Sequence, residues 1–400
     1  MPALASRTGL VSGEGAFEVL AQVKQLEARG RRVFNFAIGE PDFPTPQPIR
    51  QAAIAAIEAG HTRYSPSAGL WELREAVAHA AGRQRGTVFT PEQVVIAPGA
   101  KPLIYHSLFC CVEPGYEVLY PNPGFCTYET AIRMAGAVPV PYALREEDGF
   151  QVDPERLAAL VGPRTRMLIL NTPHNPTGSV LDREVLEAIA RLARRHDLWV
   201  LVDEIYARIV FDGEFCSLAC LPGMAQRLVL VDGFSKTYSM TGWRLGFGIM
   251  PAPLAEAVAR MVTNVESCTA TFTQLAGLAA LQGSQEACAR MVEEFRARRE
   301  MVVQELNRVP GVRVRPPRGA FYAYANVTEA CRRKGVRTAD ELARRLLEEA
   351  GVAVLPRSAF GSPLPGEQEQ YVRLSFAASR EQLHEGIGRF RAWMEEGGAP

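Results

Sequence analysis

The 400-residue sequence has no excess charge of either sign: 44 lysines and arginines balance 44 aspartates and glutamates. Nucleic acids and acidic membrane surfaces are bound through a surplus of basic side chains, so the balance argues against either partner. Any apolar run near the ~18–20 residues that a bilayer requires is missing. The first 20 residues, where a leader would be read, are interrupted by Arg7, Gly9, Gly13, Glu14 and Gly15. The expected location is cytoplasmic. Cysteine is sparse, at positions 110, 111, 126, 216, 220, 268, 288 and 331, with no C-x-x-C pair. That pattern argues against a disulfide scaffold in a chain of this length and offers no metal cage, so no metal is expected. Two glycine-rich phosphate motifs are absent as well, the Walker loop and the G-x-G-x-x-G fingerprint. The sequence contains no internal repeat or low-complexity run.

What is present reads as alternating α and β. Hydrophobic residues make up 47% of the chain, enough for more than one core at ~100–200 residues per domain. Residues 9–32 read as a strap and then a helix, with Val19, Val23 and Leu26 at helical spacing. FNFAIGEPDFPTP (34–46) is extended and broken by prolines, 46–60 is helical, and another helix starts after Gly69. VVIAPGAK (94–101) reads as a strand, a tight turn and the start of a helix running to Cys111. Free N–H groups and the positive end of the helix dipole make that start an anion site, with Gly99, Ala100 and Lys101 as backbone donors.

Short apolar strands are expected at 117–120, 167–170, 198–202 and 228–231. Between the second and third of these, the helix 182–196 carries Leu186, Ile189, Ala190 and Ala193 on one face. Strand, helix, strand implies a parallel sheet, which a strand at 245–249 is expected to close. Helices follow from 253 to about 308. Beyond them, short strands at 312–314, 320–324, 352–355 and 371–376 interleave with helices, a smaller α+β unit.

One stretch organises these pieces: DGFSKTYSMTGWR (232–244). Lys236 follows a strand, so its amine emerges at a strand's carboxyl end, where open α/β sheets place their ligands. Small residues around it (Gly233, Ser235, Ser239, Gly242) leave room for a planar ligand, and Arg244 offers a charged fork suited to phosphate. A lysine placed for Schiff-base chemistry beside a phosphate clamp suggests pyridoxal phosphate (PLP). The stretch resembles the lysine signature of class I/II aminotransferases: Gly233, a hydrophobe, Ser235, Lys236, and an arginine eight positions later.

The resemblance extends over nearly the whole chain, and it implies a role for each matched residue. Gly39, in the Gly-x-Pro-x-Phe-x-x-Pro opening, lines the substrate pocket. Tyr64 reaches across a dimer interface to the neighbour's cofactor phosphate. Phe125 stacks on the pyridine ring, for which a π face suffices. Asn175, in the NPTG turn, donates to the cofactor's phenolic oxygen or to a substrate carboxylate. Asp203 faces the pyridine nitrogen and keeps the ring an electron sink. Tyr206 hydrogen-bonds the phenolic oxygen, and Arg373 holds the substrate α-carboxylate as a bidentate guanidinium. His174 is read as a loop histidine and Cys126 as a packing residue.

The implied fold is α/β, a fold-type-I PLP-dependent transferase. A large domain, 46–285, has a mostly parallel sheet flanked by helices; a small α+β domain comes from both chain ends, 1–45 and 286–400. The implied assembly is a homodimer. The implied activity is transfer of an amino group from an L-amino acid to a 2-oxo acid through an aldimine of PLP with Lys236. A PLP-dependent lyase or synthase of the same fold, acting at the γ-carbon, is the alternative. Transcription regulators with such a domain add an N-terminal DNA-binding unit, for which the residues before Gly39 leave no room. For the substrate, Lys101 matches a lysine found in aspartate-specific relatives, which suggests an acidic side chain. Glu14, Gly15 and Ala16 stand where those relatives set hydroxyls. A carboxylate at Glu14 would repel an acid or neutralise Lys101, so neutral amino acids are expected to be preferred to aspartate.

Overall fold

Thirteen strands and the helices between them are described by the computed structural model, which covers residues 2–11 and 13–396. In chain order the strands are β1 (Phe34–Asn35), β2 (Val94–Ala97), β3 (Glu117–Asn122), β4 (Val138–Ala143), β5 (Thr165–Asn171), β6 (Trp199–Asp203) and β7 (Leu228–Gly233). They continue with β8 (Gly246–Ile249), β9 (Arg313–Val314), β10 (Tyr322–Asn326), β11 (Val352–Ala353), β12 (Leu355–Pro356) and β13 (Tyr371–Ser375). Seven form one sheet in the order β2-β8-β7-β6-β5-β3-β4, with β8 antiparallel to both neighbours and every other pairing parallel. The strand expected to close the sheet therefore lies inside it, and β2 is the edge. Nothing in its apolar run distinguishes an inner antiparallel strand from an edge strand.

The central strands are continuous apolar runs because helices cover both faces. Alternate residues serve opposite faces with the two-residue period of a strand. Leu168 and Leu170, Val200 and Val202, and Leu228 and Leu230 join a core with Leu186, Ile189 and Ala193 of the helix Arg183–Arg195. Met167, Ile169, Leu201, Val229 and Val231 instead meet Leu103, Ile104 and Leu108 of the helix Ala100–Cys111. Each of these side chains is buried, and at roughly 1.5–3 kcal/mol per buried aliphatic the two layers dominate the favourable side of folding.

A second sheet, β12-β13-β10-β9, is antiparallel throughout, and β1 pairs parallel with β11 in a third. The single strand expected at 352–355 is thus split between two sheets, with Val354 between them. The helices Glu286–Leu306 and Arg380–Glu395 pack on this unit through Phe295, Val302, Ile387 and Phe390. Near the N-terminus a 3-10 turn, Ser6–Leu10, precedes the helix Gly15–Ala28.

Parallel strands end on one side, and that fact assembles the site. The carboxyl ends of β2, β3, β5, β6 and β7 bring together Gly99, Phe125, Asn171 with Asn175, Asp203 and Lys236 from distant parts of the sequence. Asn171 and Asp203 are direct register partners.

Candidate active site

A cavity of about 510 Å³ opens at these strand ends. Its walls carry four cations, Lys101, Lys236, Arg244 and Arg373, against three carboxylates, Glu14, Glu40 and Asp203. Gly39, Ala100, Phe125, Asn175, Tyr206 and Ser235 also line it. Tyr64 does not; its side chain is 89% exposed on the surface.

Lys236 is half-buried, and its Nζ donates to the Gly39 carbonyl at 2.6 Å. Burial, reinforced by the cations of Arg373 and Arg244, lowers its pKa to about 8, so the neutral amine is accessible near physiological pH. Asp203, three residues from Tyr206, is held from two sides: Oδ2 accepts from the Tyr128 hydroxyl at 2.8 Å and Oδ1 from the Ile205 N–H at 3.2 Å. Its pKa is raised to about 6 because burial outweighs those bonds, and the Asp232 charge adds to the rise. The backbone carbonyl of Asp203 accepts from Asn171 Nδ2 at 2.9 Å, and Asn171 Oδ1 accepts from the Asn175 N–H at 2.8 Å. One asparagine thus fixes the end of β6 and the turn carrying Asn175.

Arg373, on β13, reaches the cavity from the second sheet. Nη1 donates to Asn175 Oδ1 at 2.8 Å and Nη2 to the Ala37 carbonyl at 2.5 Å, while its buried Nε has no partner among the described residues. At the other end, Arg244 has positive φ and donates to the Thr241 carbonyl at 2.8 Å. Its guanidinium lies over Gly99, which has a φ of 99° and precedes the first turn of the helix Ala100–Cys111. The backbone angle calls for glycine there, and a Cβ at Gly99 would also push that guanidinium aside. The helix start and the arginine together form an anion cradle.

The N-terminal segment supplies the remaining wall. Glu14 forms an ion pair with Lys101, both side chains partly exposed at 24% and 37%. Lys101 also lies over the Phe125 ring, 5.3 Å from its centroid, and Phe125 meets Tyr128 edge-on. His174 is buried away from this chemistry, with Nδ1 on the Thr177 hydroxyl at 2.8 Å and its pKa pushed down to about 3 by burial.

Among the lining residues that escaped the sequence reading are three with polar side chains next to the expected ones: Asn171, Tyr128 and Tyr322. Asn171 carries a signal, since it ends a buried strand beside Asp203. Tyr128 has a weaker one, three residues after Phe125 and so one helical turn away. Tyr322 has none, because the strand alternation places it without indicating what it faces.

Comparison with known proteins agrees along the full length. The profile described as aminotransferase class I and II matches residues 31–390. The chain is 41% identical over 400 residues to an aspartate aminotransferase of Streptomyces avermitilis, covering 98% of this chain and 97% of that one. It is 37% identical over 388 residues to an arginine–pyruvate transaminase of Pseudomonas aeruginosa, covering 96% and 95%. The solved aspartate aminotransferase of Thermus thermophilus with maleate superposes with a TM-score of 0.91 at 35% identity, covering 98% of this chain and all of that one. On the match of profile, sequence and fold, the chain belongs to the class I and II aminotransferases, PLP-dependent enzymes of fold type I.

Proposed function

We propose that the cavity moves an amino group from a neutral L-amino acid to a 2-oxo acid, with Lys236 as cofactor anchor and proton carrier. The observation that carries this reading is the low-pKa Lys236 amine in one cavity with Asp203 and Arg373.

The residues fit PLP. The cradle made by Arg244, Gly99 and the first turn at Ala100 and Lys101 suits a phosphate, with Ser235 as a further hydroxyl. Asp203 suits the pyridinium, Phe125 the ring face, and Tyr206 with Asn175 the phenolic oxygen. When bound, PLP supplies an aldehyde that captures amines and a ring that withdraws electrons from the substrate α-carbon.

The chain's own groups do the rest. Arg373 receives the substrate α-carboxylate, for which a guanidinium fork is suited. Gly39 lets the backbone approach closely. A lysine with a pKa of about 8 keeps about one-tenth of its amine neutral at pH 7, a working fraction for taking a proton from the α-carbon and returning it two bonds away.

Side-chain choice follows from the Glu14–Lys101 pair. An acidic substrate must displace Glu14 from Lys101 and leave a carboxylate nearby; a basic one must displace Lys101. A neutral side chain leaves the pair closed and meets Ala16, Phe17 and Ile38 on the same wall. The proposal also includes a homodimer, to which the exposed Tyr64 is contributed across the interface. The division into a large domain, 46–285, and a small one from 1–45 and 286–400 is supported by the sheets, since all seven strands of the main sheet fall in the first range.

Mixing the PLP-loaded enzyme with an L-amino acid and no acceptor tests the reaction type. A transaminase stops after a single equivalent of 2-oxo acid per cavity. Continued product release without an acceptor would contradict the proposal and favour elimination chemistry.

A further inference from the structure

Tyr322 touches three parts of the cavity at once. Its ring lies under Arg373, whose guanidinium carbon is 4.2 Å from the ring centroid. Its hydroxyl is 2.7 Å from the Tyr206 hydroxyl, the two rings meeting edge-on. The same hydroxyl lies against Gly39, where any Cβ would collide with it, and the Gly39 carbonyl holds Lys236. Tyr322 is fully buried and faces the cavity.

We infer that Tyr322 is a positioning residue that links occupation of Arg373 by a carboxylate to the direction in which the Tyr206 hydroxyl points its proton. The inference rests on the proposed roles of Arg373 and Tyr206. A hydroxyl pair shares one hydrogen bond, so one partner donates and the other keeps its proton for a third group. Burial raises both phenols above their ordinary value and the Arg373 cation pulls against that rise in both, but it lies directly against the Tyr322 ring, 4.2 Å from the centroid. That contact favours Tyr322 as the donor of the pair. With Tyr322 donating, the Tyr206 proton points into the cavity. A carboxylate on Arg373 cancels the positive field under Tyr322, weakens its donation and releases the Tyr206 hydroxyl to turn. Lys236, Asp203, Glu40 and Arg244 are the other charged groups that act in this part of the cavity, with the Glu14–Lys101 pair at its edge, and none is removed by the substitutions used below.

The test follows the visible absorbance of the PLP-loaded enzyme against pH, with and without a monocarboxylate, 4-methylpentanoate, in wild type and in Tyr322→Phe. Phenylalanine keeps the ring under Arg373 and removes the hydroxyl alone. In wild type the carboxylate is expected to move the absorbance midpoint by about 0.5–1 pH unit, the scale of one hydrogen bond. In Tyr322→Phe the movement falls by more than half, the remainder being the direct field of Arg373 on Lys236. The double variant Tyr206→Phe/Tyr322→Phe then matches Tyr206→Phe alone. Equal responses in wild type and Tyr322→Phe overturn the inference and leave the roles of Arg373 and Tyr206 standing. Absence of any carboxylate response in wild type overturns the role of Arg373, and the inference with it. Should Tyr322→Phe fail to fold, Tyr206→Phe carries the same test, and an undiminished response there overturns the link.

Discussion

Glu14 and Lys101, 87 residues apart, meet as an ion pair at the partly exposed edge of the cavity. The pair joins the N-terminal segment to the phosphate cradle, since Lys101 is the second residue of the cradle helix. Burial lowers the Lys101 pKa and the Arg244 charge adds to that, and Glu14 is the ion-pair partner of the ammonium.

Replacing Glu14 by Ser frees Lys101 for a substrate carboxylate. With 2-oxoglutarate fixed as acceptor, wild type is expected to use neutral donors better than aspartate, and Glu14→Ser to shift kcat/KM towards aspartate by about tenfold or more, equivalent to ~1.4 kcal/mol. Aspartate as the best wild-type donor refutes the preference. An unchanged ranking in Glu14→Ser removes Glu14 from the argument.

Asp203 and Phe125 flank the same space by different physics, one by charge and one by packing. Asp203→Ala is expected to lower kcat by at least about tenfold more than Phe125→Ala, because a preorganised charge acts where a packing face only orients. Tyr128→Phe, which removes the 2.8 Å bond to Asp203, should fall between them. Parallel kcat measurements decide, and a reversed order would mean that Asp203 is misassigned.

The two displaced pKa values predict opposite pH effects on the cofactor-free protein. Lys236 drops from 10.5 to about 8, so between those values the unfolded chain binds more protons and stability rises with pH. Lys236→Met should therefore melt higher than wild type near pH 7, with the gap closing towards about pH 10. Asp203 rises from 3.8 to about 6, so the folded chain binds more protons in that window and stability falls as pH rises through it. Asp203→Asn should gain on wild type between about pH 4 and 6. Melting curves of cofactor-free protein across both ranges check the signs, and a gap that moves the other way contradicts the burial argument.

Among the expected site residues Tyr64 lies exposed and away from the cavity of its own chain, whereas Gly99, which does not line the cavity either, sits against the lining Arg244. Tyr64→Phe should loosen PLP retention. Lys236→Ala and Tyr64→Ala proteins, each inactive alone, should regain part of the wild-type rate when mixed and re-dimerised, since one cavity of the mixed dimer is then intact. Heterodimers demonstrated by mass and still inactive would show that Tyr64 does not act across an interface.

Residues whose place depends on one strand end were legible in the sequence. Asn175, Asp203 and Lys236 each follow an apolar run, and parallel pairing carries all three to one edge. The 94–101 stretch was legible for the same reason. Pairings that depend on the whole fold were not. The inner position of β8 requires knowing its neighbours on both sides, and the split of 352–356 between two sheets depends on where β1 and β13 lie. Tyr322 shows no mark of function because its three contacts, to residues 39, 206 and 373, come from elements far apart in the sequence, the last through the pairing of β10 with β13. Glu14 was legible as a departure in charge. Its meeting with Lys101 was one of two outcomes that local sequence left open.

The account stands on Lys236. Borohydride reduction of the PLP-loaded enzyme followed by peptide mass analysis should place the cofactor on the peptide containing Lys236, and Lys236→Ala should show neither that label nor measurable amino transfer. Label on a different lysine, or amino transfer retained in Lys236→Ala, would contradict it.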